Sequence, residues 1–295
     1  MSTEDSPDSR LRRADLLFQR DRLTEALAEF TALAASAPWP VARAARQGRA
    51  GVLFALGRFP EALALYRALS FPADDPNGSL VRASVSHVRA AMGFAEEAVI
   101  ELRGLLADSR SRWGEDAPVT LCTMQVLGDA LLMADQPAAA VRMFTSTVEL
   151  RTTAFGPDDP MVLCTRHMLG VALERVGRID EAERELLAAD LADRPPSHGC
   201  SLATRQGLAR VATARGQFAT AIETQASVVA GMTRLYGAEH PNTLESRFDA
   251  AELLRQRAFP AEADAEHREI LAVRTRVLGP DHPDTRRSAA ALDSR

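Results

Sequence analysis

A few side chains in this sequence have the types and spacing of reactive groups. His87 and Asp129 stand 42 residues apart on successive amphipathic segments, as a general base and the carboxylate that orients it would. No nucleophile or pair of oxyanion donors stands beside them. Cys122 and Cys164 are also 42 residues apart, and His167 follows Cys164 at i+3, a set that could hold a soft metal. The plainer expectation is small apolar cysteines in a packed stack, with no metal or other cofactor. His198, His240 and His282 recur at one position before a helical segment and are expected to hydrogen-bond the local backbone. All 35 basic residues are arginine, which excludes a Walker A lysine, a Schiff base and a Ser-Lys dyad. GxSxG, HExxH, CxxC and GxGxxG patterns are absent from the sequence. These observations favour a non-enzymatic role.

The elements that would position such groups recur. The tetrad Gly177-Arg178-Ile179-Asp180, followed by Glu181-Ala182, has counterparts that begin at residues 21, 57, 93, 135, 216 and 258. A second signal, Gly156-Pro157-Asp158-Asp159-Pro160, returns as Gly237–Pro241 and Gly279–Pro283, with a weaker copy at Gly114–Pro118. Glycine ends a helix in the left-handed region and proline opens the next. Between these marks apolar residues fall at helical spacing, as Val141, Phe144 and Val148 do at i, i+3 and i+7. Each unit therefore reads as helix, tight turn, helix, longer turn. One such hairpin cannot bury its own apolar face, whereas a stack can.

Composition agrees with a soluble helical array. Apolar residues make up 46% and charged residues 25%, while aromatics are only 5%, so the core must be built from Ala, Leu and Val. The net charge of −5 argues against nucleic acid as a partner. No stretch approaches the roughly 18 apolar residues of a membrane span. The polar first residues lack the apolar segment of a signal peptide, and the three sparse cysteines read as reduced thiols. The expectation is a cytoplasmic protein without membrane contact. Arginine-only basic residues and Ala-rich helices fit a GC-rich bacterial genome.

These units resemble the tetratricopeptide repeat, in its long, 42-residue variety found in kinesin light chains. The resemblance rests on Leu169-Gly170, Leu173, Gly177, Ala182, Leu186 and Ala189 in one unit. It continues with Leu127-Gly128, Leu131, Asp135, Ala140, Phe144 and Val148 in another, and with the string Gly279–Thr285. It implies an all-α solenoid of about seven helix-turn-helix units in a right-handed superhelix. Residues 1–6 would be a polar tail, 7–76 two shorter units, 77–282 five long units and 283–295 a capping helix. Arg286, Arg287 and Ser288 suit the solvated face of that cap. Gly170 and Ala182 fall where two helices approach closely, and His267 at an aromatic packing position.

The resemblance also implies a concave groove lined by the first helix of each unit. Gln125, Asp129, His167, Gln206, Arg210, Glu252 and Arg255 are the candidate partner-binding residues, with Gln47, His87, Glu174 and Phe248 among the neighbouring groove positions. The asparagine that peptide-binding members place before the Leu-Gly pair is replaced by Gly48, Ser84, Val126, Met168, Gly207 and Asp249. The expected function is a scaffold or adaptor, regulatory in character, that binds a protein or peptide in this groove. The alternative is a pathway-specific enzyme or ligand sensor that uses the groove as a pocket. Self-association through exposed end units is compatible with either.

Overall fold

The computed structural model describes residues 6–72, 74–190 and 198–293. Among them are fifteen α-helices and no strand. They are α1 (Pro7–Gln19), α2 (Leu23–Ser36), α3 (Trp39–Ala55), α4 (Phe59–Arg67), α5 (Pro76–Ala91), α6 (Ala95–Trp113), α7 (Pro118–Met133) and α8 (Pro137–Phe155). Then follow α9 (Pro160–Arg175), α10 (Ile179–Ala189), α11 (Gly199–Ala214), α12 (Phe218–Tyr236), α13 (Pro241–Gln256), α14 (Pro260–Leu278) and α15 (Pro283–Asp293). Residues 1–5 of the expected polar tail lie outside the described residues.

The tight turns explain the recurring anchor. Residues 21, 57, 93, 135, 177, 216 and 258 all have φ between +53° and +97°. In each, the next residue's N–H reaches back five residues, as Arg178 to the carbonyl of Leu173 at 2.9 Å and Gln217 to that of Ala212 at 2.9 Å. This is the bond pattern of a left-handed helix stop, which satisfies otherwise orphaned carbonyls. Glycine holds four of the positions and aspartate two; Ala258 accepts the conformation without either advantage (φ 66°).

The longer turns use a different device. Gly156, Gly237 and Gly279 close α8, α12 and α14 with φ near +90° and ψ of 161–164°, a region essentially reserved for glycine. The next helix is then capped by a side chain. Asp159 accepts from the Met161 N–H at 2.8 Å. The Nδ1 atoms of His198, His240 and His282 accept from the N–H groups of Cys200, Asn242 and Asp284 at 3.1–3.2 Å. The three histidines thus do what their recurrence suggests, replacing the usual Asp or Ser cap.

The chain divides into two compact units, Met1–Ala130 and Leu131–Arg295, with the division inside α7. In the first, each of α1 to α5 packs on its successor, and α1 also meets α3. Its core gathers Leu53, Tyr66, Val81 and Val88. In the second, successive helices from α8 to α15 pack in order, and α9, α11 and α13 also touch one another in series. Both units are therefore layered hairpins, as the repeat requires. Gly170 marks a close approach in the second unit: a Cβ there would lie 2.6 Å from Leu186 Cγ.

A buried arginine joins one hairpin to the next at two places. Arg151 on α8 and Arg274 on α14 each stand sixteen residues after their anchor and are 1% exposed. Arg151 Nη1 donates to the Met161 carbonyl at 3.0 Å and to Thr165 Oγ1 at 2.5 Å. Arg274 Nη1 repeats both bonds on α15, to the Asp284 carbonyl at 3.1 Å and Ser288 Oγ at 2.9 Å. The expected solvated face of α15 is corrected here. Ser288 is fully buried because it receives this guanidinium, and Arg287 turns inward to pair with Glu245.

Candidate functional site

In the second unit, the stacking of α9, α11 and α13 lines up their polar side chains. Arg210, on α11, bridges the helices on either side. Its Nη1 donates to Asp249 Oδ2 on α13 at 2.9 Å, and its Nε faces Glu174 Oε2 on α9 at 3.4 Å. Gln206, one turn earlier on α11, donates Nε2 to the same Asp249 oxygen at 2.6 Å. His167 on α9 places Nδ1 3.2 Å from Thr204 Oγ1. Burial lowers its pKa to about 4, with the Arg210 charge adding to the fall, so the imidazole is neutral near pH 7.

The ionic chain continues toward α15. Glu245 accepts from Arg274 Nη2 at 2.9 Å and from Arg287. Burial alone would push this carboxyl up; the charges of Arg287, Arg274 and Arg210 reverse that and hold it at about 2. Asp249 goes the other way. Burial raises it, Arg210 pulls it back, and nearby Glu245 pushes it up again, leaving it above the ordinary aspartate value. Phe248 lies beneath, with the Arg274 and Arg287 guanidinium carbons 5.3 and 4.5 Å from its ring centre.

A second cluster sits one turn along α13. Arg255 contacts Glu252 at 3.3 Å and Asp264 at 3.1 Å. His267 is fully buried, packed edge-on against Phe248 with ring centres 4.8 Å apart, and its Nε2 lies 2.8 Å from Glu252 Oε1. Burial lowers its pKa, against the pull of Glu252. Between these clusters opens a cavity of about 270 Å³, bordered by Glu174, Arg210, Asp249, Glu252 and Gln256.

The first unit has a smaller polar group. Gln125 Nε2 donates to Asp129 Oδ1 at 3.2 Å within α7. His87 on α5 packs at a tilt against Phe54, with ring centres 4.8 Å apart, and lies 3.8 Å from Asp129 Oδ2. That is too long for a hydrogen bond, and burial lowers the histidine to about 4. The facing pair exists, but as a neutral ring beside a carboxylate.

The seven candidate residues therefore fall into two places. Gln125 and Asp129 belong to the first unit; His167, Gln206, Arg210, Glu252 and Arg255 gather in the second. Gln125 and Gln206 are buried and engaged with carboxylates. Phe248, placed among the groove positions, is core, with Ile270 and Ala291. Sequence reasoning missed Glu245, Arg274 and Arg287 as members of the network. One signal was available: an arginine at a repeat position that α12 fills with buried Met232. Among the described residues no group of three or more His, Cys, Asp and Glu is arranged to hold a metal, and no helix is long and apolar enough to cross a membrane.

Fold and punctuation together define an all-helical hairpin-repeat protein. Residues 201–242 and 243–284, which take in most of α11–α12 and of α13–α14, match the family model of the tetratricopeptide repeat. Residues 201–284 thus carry two tetratricopeptide repeats. Comparison with curated proteins returns no match. Among solved structures it is similar to the nearly identical TPR-like repeats of a kinesin light chain from Podosopora anserina, at 23% identity over 68% of this chain and 96% of that one, with a TM-score of 0.51. It is also similar to a Rap protein complexed with Competence and Sporulation Factor, at 12% identity over 97% and 84%, with a TM-score of 0.65. BtubC (BKLC) from P. vanneervenii follows at 18% identity over 77% and 92%, with a TM-score of 0.50. At these identities the likeness is one of fold.

Proposed function

We propose that this protein is a non-enzymatic adaptor or regulator that captures a protein or peptide on the face formed by α9, α11 and α13. The observation that carries this reading is the cavity bordered by Glu174, Arg210, Asp249 and Glu252, a concave hollow with convergent hydrogen-bonding groups on a stacked, rigid support. The fold shared with a Rap protein solved with Competence and Sporulation Factor supports it. Cys122, Cys164 and Cys200 are too few and too scattered for a disulfide frame, which suits action in the cytoplasm.

Selection of binders from a random peptide library on the full chain tests the reading. Selected peptides are expected to lose about tenfold or more in affinity on Gln256→Trp or Ala214→Trp, two exposed positions on the cavity rim, with unchanged circular dichroism. Peptides that bind both variants as well as the parent chain would remove this face from consideration. A library that yields no binder counts against the proposal as a whole.

A further inference from the structure

The cavity beside Arg210 has a lopsided inventory of polar groups. Its border carries three carboxylates, Glu174, Asp249 and Glu252, and one guanidinium, Arg210, a formal sum of −2. That guanidinium is already shared between two of the carboxylates, at 2.9 Å to Asp249 and 3.4 Å to Glu174. The amide donor nearest Asp249, on Gln206, is spent on the same carboxylate. Gln225, also on the border, donates its amide to the Ser246 carbonyl at 2.6 Å. Arg255 reaches Glu252 from outside the cavity and divides itself between Glu252 and Asp264. Of the lining donors, Arg210 Nε faces Glu174 without a hydrogen bond and Gln256 stands at the exposed rim, while the three carboxylates keep acceptor capacity to spare, since each offers about four lone-pair sites.

We infer that this cavity binds a cationic hydrogen-bond donor, the guanidinium or ammonium group of a ligand. The inference rests on the protein-binding reading above and specifies what that face recognises. Charge and geometry point the same way. A cation entering beside Asp249 and Glu252 completes the compensation that Arg210 gives only in part, and the buried Ala209 and Leu253 of the lining would pack its methylene stem. An anion would meet three carboxylates and an arginine already occupied. At about 270 Å³ the space lies just under the roughly 300–1,000 Å³ of drug-sized pockets, so one long side chain or a small amine fits it. Burial raises the Asp249 pKa, with Glu245 adding to the rise and Arg210 opposing it.

Isothermal titration of the full chain with N-acetylarginine amide, its uncharged isostere N-acetylcitrulline amide and N-acetylglutamate amide provides the test. Saturable binding is expected for the arginine derivative, about tenfold or more weaker for citrulline, and absent for glutamate. Glu252→Gln should weaken the arginine derivative by about tenfold, and Gln256→Trp, which blocks the space without touching the ion pairs, should abolish its binding. Two further probes separate the sources of the cation. If a glycine-flanked arginine peptide binds much more tightly than agmatine, the ligand is a side chain of a peptide; equal affinities identify a free amine. Equal binding of the citrulline derivative, insensitivity to both variants, or no saturable binding at millimolar probe would overturn the inference. Should library selection return groove-dependent peptides without basic residues, the adaptor reading stands and this inference falls. If neither the capped amino acids nor any library peptide binds, both fall.

Discussion

The junction from α12 to α13 and the junction from α14 to α15 occupy the same place in the repeat but are built from different chemistry. At the first, Met232 is buried with Leu202 and Val228, and Gln225 ties the hairpin to the Ser246 carbonyl of the next helix. At the second, Arg274 takes the position of Met232. It binds a carbonyl and a hydroxyl of α15, pairs with Glu245 and lies over Phe248. The position is thus buried at both junctions, and it accepts either an apolar or a charged side chain. A charged one brings obligations. Glu245 and Arg287 are drawn together around it, and removing one partner leaves the others uncompensated.

Arg274→Met, which rewrites the second junction in the terms of the first, should have the largest effect. It is expected to lower unfolding stability by about 3–5 kcal/mol, read from urea denaturation. A loss below about 1 kcal/mol would mean that packing, not ion pairing, holds α15. Acid should produce the next largest change. His87 and His167 are held at about 4 in the folded chain against an ordinary 6.5. The unfolded chain therefore takes up their protons first. Their stabilising contribution is complete above about pH 6.5 and lost as pH falls toward 4, by roughly 1–3 kcal/mol for each. Glu245 contributes in a lower window, complete above about pH 4.5 and lost toward 2. A stability profile of the parent chain should show both limbs, and Arg274→Met should weaken the lower one selectively.

Smaller effects probe the turns that flank each junction. His282→Ala removes the cap of α15 and is expected to lower the unfolding free energy by about 1 kcal/mol, whereas His282→Asp restores the acceptor. Equal losses for the two would show that the ring is held for packing. Ala258→Gly should stabilise by about 0.5–1 kcal/mol, because φ of 66° is costly for alanine and free for glycine, offset in part by glycine's larger unfolded freedom. A decrease in thermal midpoint on this change would contradict the account of the tight turn.

The hairpins were legible because punctuation is local. A left-handed stop favours Gly or Asp at one position, and Asp or His before proline can cap the next helix, so Gly177, Asp135 and His240 announce themselves in one dimension. The faces were harder to read. Spacing places Gln206 and Phe248 on the first helix of a unit but does not say how deeply each is sunk between neighbours, and both proved buried. The Glu245 network was hidden because its members come from α13, α14 and α15 and meet only through stacking. Arg287 looked like half of an exposed Arg-Arg pair, since sequence shows its charge and not the carboxylate 42 residues earlier that draws it in.

The eleven-residue α15 has a consequence for anyone wishing to trim this chain. Cutting at residue 282 would not peel away an inert lid. It would strand the Arg274 guanidinium without its carbonyl and hydroxyl acceptors, strip one cation from Glu245 and uncover the aromatic ring of Phe248. The shortened protein would carry a sticky, half-neutralised end, prone to seek the missing helix in another molecule.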